Sequence, residues 1–93
     1  MALINIHRKH SLNHDKARRA AQNVAEHLND RFQLQYRWES DSLHFKHAGL
    51  KGNLELKESE VQIKIKLGLM MLPIKPLLEK EIHQYMNDIF EET

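Results

Sequence analysis

The chain has no cysteine in its 93 residues. This absence excludes disulfides, thiolate metal sites and cysteine nucleophiles together, and it is consistent with a reducing compartment. We also expect no signal peptide, because the basic segment His7–His10 follows a short apolar stretch instead of preceding a long one. We therefore expect a cytoplasmic protein, or one attached to a surface from the cytoplasmic side.

Long apolar runs are absent as well. The longest run that is nearly free of polar side chains spans residues 67–74, far short of the ~20 residues that a transmembrane helix needs. The formal net charge of +1 is too small to attract nucleic acid over long distances. We expect neither a transmembrane segment nor a nucleic-acid partner.

The composition is that of one small globular domain. Hydrophobic residues make up 41% of the chain and charged residues 29%, and these ordinary values argue against disorder and against a coiled coil. No linker or repeat divides the sequence, so residues 1–93 are predicted to form a single domain.

Two helices are predicted from apolar residues that recur with a period near 3.6. The first begins after a cap at Ser11 or Asn13 and continues to Phe32. The second follows Pro76, whose missing N–H suits a first helical turn. Its apolar stripe contains Leu78, Ile82, Tyr85, Met86, Ile89 and Phe90.

Five strands are predicted from alternating apolar and polar residues, a pattern typical of a sheet with one wet face. One strand precedes the first helix, and four segments between Leu34 and Leu67 form a meander. We therefore expect an α+β fold whose antiparallel sheet carries both helices on one face. A reduced helix-grip arrangement, in which a curved sheet wraps the C-terminal helix, fits this order, and a split β-α-β layout is the alternative.

The polar face of the meander carries excess positive charge. Its basic residues are Arg37, Lys46, Lys51, Lys57, Lys64 and Lys66, against the acids Glu39 and Glu55. The simplest interpretation is a solvated face whose lysines keep edge strands from pairing with other molecules. Contact with an anionic partner is the alternative. Tyr36, Trp38 and Phe45 are expected to point inward, where they cannot stack on bases.

No constellation in the sequence predicts catalysis or metal binding. His7, His10 and His14 are close together, but a helix cap at Ser11 leaves His10 outside the helix. The serines occupy cap or turn positions, and the acidic residues fall on outer faces or turns where no carboxylate pair converges. We expect no catalytic residue, no metal and no cofactor.

Residues 69–74, called the apolar segment below, show no polar face at all. Pro73 and Pro76 prevent a continuous helix there, so a mostly irregular segment must pack beneath the second helix or remain exposed. Packing is the simpler outcome, but any exposed part offers an adaptable surface for an acyl chain, a polymer or a second copy. The predicted apolar contact surface consists of Leu69, Met70, Met71, Leu72 and Ile74.

Four stretches of the chain, taken in order, resemble one protein family. They are His7–Leu12, Tyr36–Phe45, Gly49–Gly52 and Leu67–Pro76. In this order they are similar to the polyhydroxyalkanoic acid system proteins, small bacterial proteins associated with polyester-granule gene regions, over nearly the entire length. The resemblance implies a non-enzymatic accessory protein of polyester storage, whose partners are the granule surface or granule-bound proteins.

Two other functions remain open from the residues. A small-molecule carrier would hold an apolar ligand between the sheet and the second helix, near Tyr36, Trp38 and Tyr85, and would need a cavity there. A structural homodimer would instead use the apolar segment as its interface.

Overall fold

The computed structural model describes residues 2–90, and it describes the side chains of residues 2–88. The elements in chain order are β1 (Ala2–Lys9), α1 (His14–Phe32), β2 (Gln35–Glu39), β3 (Ser42–His47), β4 (Leu50–Leu56), β5 (Glu60–Leu67), a 3-10 helix (Leu69–Ile74) and α2 (Lys75–Phe90). The side chains of Ile89 and Phe90, which the periodicity assigns to the apolar stripe of α2, lie outside the described residues.

The five strands form one sheet in the order β1-β5-β4-β3-β2. Every neighbouring pair is antiparallel, and β1 pairs with β5 over its whole length, from Ala2 opposite Leu67 to Lys9 opposite Glu60. Strands β1 and β2, which α1 joins, lie at opposite edges with three strands between them. This order differs from a split β-α-β unit, in which one strand separates the two. The predicted α+β fold with a five-stranded antiparallel sheet is confirmed.

Both helices pack on the same face of the sheet, called the inner face here. Strand residues such as Ile4, Leu54 and Ile63 share one buried cluster with residues of both helices. Helix α1 turns mainly small side chains toward the sheet, and these allow it to pack closely. The residues concerned are all at most 6% exposed: Ala20, Ala21, Val24, Ala25 and Leu28. Helix α1 contacts β2 and β4, and α2 contacts β1 and α1. No helix within residues 2–90 combines the length and apolarity of a bilayer span.

Asn13, not Ser11, caps the first helix. The Asn13 Oδ1 atom accepts a hydrogen bond from the backbone N–H of Lys16 at 2.9 Å, which satisfies one of the unpaired donors of the first turn. Helix α2 begins at Lys75, so Pro76 lies within its first turn, as predicted, where no intrahelical donor is lost.

Gly52 of β4 lies opposite Ile65 of β5, with no room for a side chain between them. A Cβ atom at this position would lie 2.7 Å from Ile65 Cγ1 and 2.7 Å from the carbonyl oxygen of Lys64. Real Cβ contacts are essentially never shorter than 3.0 Å, and the oxygen belongs to the backbone, which cannot rotate away. The absence of a side chain is therefore a packing requirement here.

We predict that Gly52→Ala destabilises the protein by about 1–3 kcal/mol, because the added methyl group must displace Ile65 and the β5 backbone. Gly68→Ala is the matched control, since a Cβ there meets its nearest atom at an ordinary 3.5 Å and the backbone is extended at φ −75°. Urea unfolding checks the prediction. Equal denaturation midpoints for the two variants would contradict it.

Candidate apolar contact surface

The apolar segment forms a 3-10 helix instead of the irregular chain expected from its prolines. Residues three apart are eclipsed in a 3-10 helix, so Met71 and Ile74 face the same way. Both of them pack against the core cluster. The conformation therefore partly buries one side of a segment that has no polar face.

The other side of the segment stays in solvent. Met70 is 89% exposed and Leu69 is 75% exposed, whereas Leu72 is partly buried. The five predicted contact residues are thus divided, with Leu69 and Met70 outward and Met71 and Ile74 against the core. A partner can reach the first two side chains without any change in the fold.

The turn between β3 and β4 holds the apolar segment in place. The backbone N–H of Gly68 donates to the carbonyl oxygen of Gly49 at 2.8 Å. Gly49 has φ +78°, a conformation that favours glycine, and a Cβ there would lie 3.0 Å from Met71 Cγ. Gly49 therefore provides both the backbone partner and the space that the segment needs.

Two further leucines add to the exposed apolar surface. Among the described side chains, the exposed large hydrophobics are Leu3, Leu69, Met70 and Leu77. Leu3 lies opposite Lys66 near the end of β5, and Leu77 lies in the first turn of α2. Sequence reasoning missed both, although Leu3 alternates with the buried Ile4 and Ile6 and so occupies an outward position.

The aromatic residues of the alternative ligand pocket fall into two groups. Tyr36 and Trp38 are held by Gln22 of α1, which accepts a 2.8 Å hydrogen bond from the Trp38 indole and donates a 3.0 Å bond to the Tyr36 hydroxyl. The Arg18 guanidinium lies 3.9 Å from the centre of the Trp38 ring, at a distance typical of a cation–π contact.

Tyr85 belongs to a separate group between the two helices. Its ring stacks on His27 with centroids 4.6 Å apart, and its hydroxyl donates to Glu81 at 3.0 Å. Arg31 donates two 2.9 Å hydrogen bonds to the same carboxylate. No hydrogen bond or ring contact within residues 2–88 joins Tyr85 to Tyr36 or Trp38.

The contacts within this second group shift the pKa values of Glu81, Arg31 and Tyr85. The hydrogen bonds from Arg31 hold the pKa of Glu81 below its ordinary value. The same contact raises the pKa of Arg31. Burial, followed by the hydrogen bond to Glu81, raises the pKa of Tyr85. Arg31 of α1 and Glu81 of α2 therefore form a salt bridge between the two helices.

The histidines do not gather around a common point. Within the described part of the chain, no group of three or more His, Asp or Glu residues is placed to hold a metal ion. His14 instead pairs with Asp41, with 2.8 Å between Nε2 and Oδ1.

Comparison with known proteins identifies one family. The family model described as "Putative polyhydroxyalkanoic acid system protein" matches residues 4–90, nearly the whole chain. The resemblance carried by the sequence motifs is thereby confirmed. No curated protein and no solved structure matches the chain.

We predict that Glu81→Gln destabilises the protein at neutral pH and much less in acid. The pKa of Glu81 is lowered in the folded state, so its contribution is fully present above the unfolded value of ~4.3 and is lost as the pH falls through the folded value. Urea midpoints at neutral and acidic pH measure this difference. Glu58→Gln, an exposed acid without a described partner, is the control, and an equal pH dependence for both variants would contradict the prediction.

Proposed function

Because the chain belongs to the family of polyhydroxyalkanoic acid system proteins, we propose that it is a non-enzymatic accessory protein of bacterial polyhydroxyalkanoate storage. It contacts the apolar surface of the polyester granule, or proteins bound there, through the exposed part of the apolar segment. Such a protein works in the cytoplasm, on or beside the granule, and requires no catalytic residue or cofactor.

The exposure of Leu69 and Met70 is the observation that carries this proposal. Both side chains are more than 70% exposed, on a segment held by Gly49 and by the partly buried Met71. Methionine is unbranched and adapts to irregular apolar surfaces. Two adjacent apolar side chains on a fixed support are suited to insertion into a polymer surface.

The energies favour a weak, reversible contact. Full burial of a leucine or methionine side chain contributes about 1.5–3 kcal/mol, and association costs an estimated 4–15 kcal/mol in lost freedom. A stable protein–protein interface typically uses about 20–30 residues on each side. Insertion into an apolar surface therefore fits the small exposed group better than a homodimer does.

We predict that Leu69→Asp/Met70→Asp lowers binding to polyester granules at least tenfold, since the loss of one such buried side chain already exceeds the ~1.4 kcal/mol of a tenfold change. Co-sedimentation of the purified protein with granules measures binding. Both side chains are exposed, so the substitutions leave the core intact.

The control is Asn23→Asp/Gln84→Asp, which adds the same charge at exposed helix positions. Its binding should equal that of the wild type. Equal recovery of the two double variants would contradict the proposal. Sedimentation of the free protein completes the test, because a concentration-dependent mass lost only in the Leu69/Met70 variant would indicate the homodimer instead.

A further inference from the structure

Three lysines form a row across the outer face of the sheet, which is the face opposite the helices. Lys46 of β3 lies opposite Lys51 of β4, and Lys51 lies opposite Lys66 of β5. All three side chains are exposed. We call this row the lysine ladder.

The lysine ladder is unfavourable for the isolated protein. Like charges directly opposite each other destabilise a sheet, and no ion pair within residues 2–88 involves these three lysines. The nearest acid on β4 is Glu55, four residues from Lys51, about 13 Å along the strand. That separation exceeds the screening length at physiological salt, ~8 Å.

Protection of sheet edges does not explain the lysine ladder. The edge strands are β1 and β2, whereas the three lysines lie on the interior strands β3, β4 and β5. The sequence-based interpretation is confirmed in one part, because these three lysines are solvated, and it is wrong in the other, because they do not lie on edge strands. A charge arrangement that costs stability and protects no edge indicates an anionic partner.

A groove of about 540 Å³ adjoins the lysine ladder. Arg37, His44, Lys46 and Lys51 contribute to its lining, and no acidic side chain does. Lys64 lies in the same cross-strand row as His44. Positive charge thus extends over two rows at this end of the outer face.

The aromatic residues disfavour nucleic acid as the partner. Tyr36 and Phe45 also line the groove, but Phe45 is 2% exposed and the Tyr36 hydroxyl accepts a hydrogen bond from Gln22 of α1. Trp38 is held by the same glutamine. The outward positions of the described strands contain no Phe, Tyr or Trp. A sheet that binds single-stranded nucleic acid uses such rings as stacking platforms.

Exposed apolar side chains lie at the same end of the molecule as the lysine ladder. Leu3 is opposite Lys66 and extends the row by one strand. The apolar segment starts three residues after Lys66, and it rests on Gly49, two residues before Lys51. Cationic and apolar side chains are therefore presented together.

We propose that the lysine ladder and the exposed apolar side chains bind an acidic phospholipid layer, in which anionic headgroups cover an apolar interior. The ammonium groups of the ladder contact the phosphates, and Leu3, Leu69 and Met70 enter the layer between them. This inference rests on the proposed function and names the chemistry that the protein meets at the granule. A lysine near an anionic lipid surface strengthens binding about fivefold, so three contribute roughly 100-fold.

The test uses vesicles of two parts phosphatidylcholine to one part phosphatidylglycerol, compared with vesicles of phosphatidylcholine alone. The ladder variant is Lys46→Gln/Lys51→Gln/Lys66→Gln. The control is Lys16→Gln/Arg19→Gln/Lys80→Gln, which removes the same charge from exposed helix positions. We expect the ladder variant to bind the anionic vesicles roughly 100-fold more weakly than the control.

Three results would overturn the inference. They are equal affinities of the ladder and control variants for anionic vesicles, wild-type binding that is as tight to neutral as to anionic vesicles, and ladder-dependent binding to single-stranded RNA that is tighter than binding to vesicles. Urea unfolding verifies that the ladder variant is folded, and its midpoint should equal or exceed that of the wild type, because repulsion is removed.

Lipid-free polyester particles separate this inference from the proposed function. If the wild-type protein binds the particles but not the anionic vesicles, the lipid inference is wrong and the proposed function stands. If the wild-type protein binds the vesicles but not the particles, the lipid inference is supported and direct contact with the polymer is contradicted.

Discussion

The two helices cover only one face of the five-stranded sheet, and the rest of the structure depends on this one-sided burial. Alternation places Ile4, Leu54 and Ile63 in the core, and it necessarily places the lysines of the same strands in water. Leu69 and Met70 follow the end of β5 and remain exposed.

Helix α2 packs on the edge strand β1 and on α1, and its contact with α1 includes a polar group. Glu81 accepts two hydrogen bonds from Arg31 and one from Tyr85, and the stacked pair of Tyr85 and His27 lies beside them. These side chains complement the apolar contacts of Leu78 and Ile82. A polar link of this kind adds directional hydrogen bonds between the two helices to apolar packing, whose attraction is not directional.

Periodicity predicted the strands, the helices and their common face, because each depends on residues close in sequence. It predicted the meander of β2 to β5, but it could not predict that β1 joins β5 and thereby leaves β2 at the other edge. For this reason Tyr36 and Trp38 on β2 belong to a different group from Tyr85 on α2. The lysine ladder was hidden for the same reason, because only the register aligns Lys46, Lys51 and Lys66. The division of the apolar segment was hidden too, since it depends on a 3-10 helix.

Gly49 positions the apolar segment before any partner binds to it. Its carbonyl oxygen and its missing side chain fix the apolar segment against the β3–β4 turn, so the backbone that carries the exposed pair is already in place before a partner arrives. Binding then requires little ordering of the backbone, and more of the burial energy is retained as affinity. A substitution of Gly49 would therefore weaken binding indirectly, because it would displace the segment that carries Leu69 and Met70 without removing either side chain.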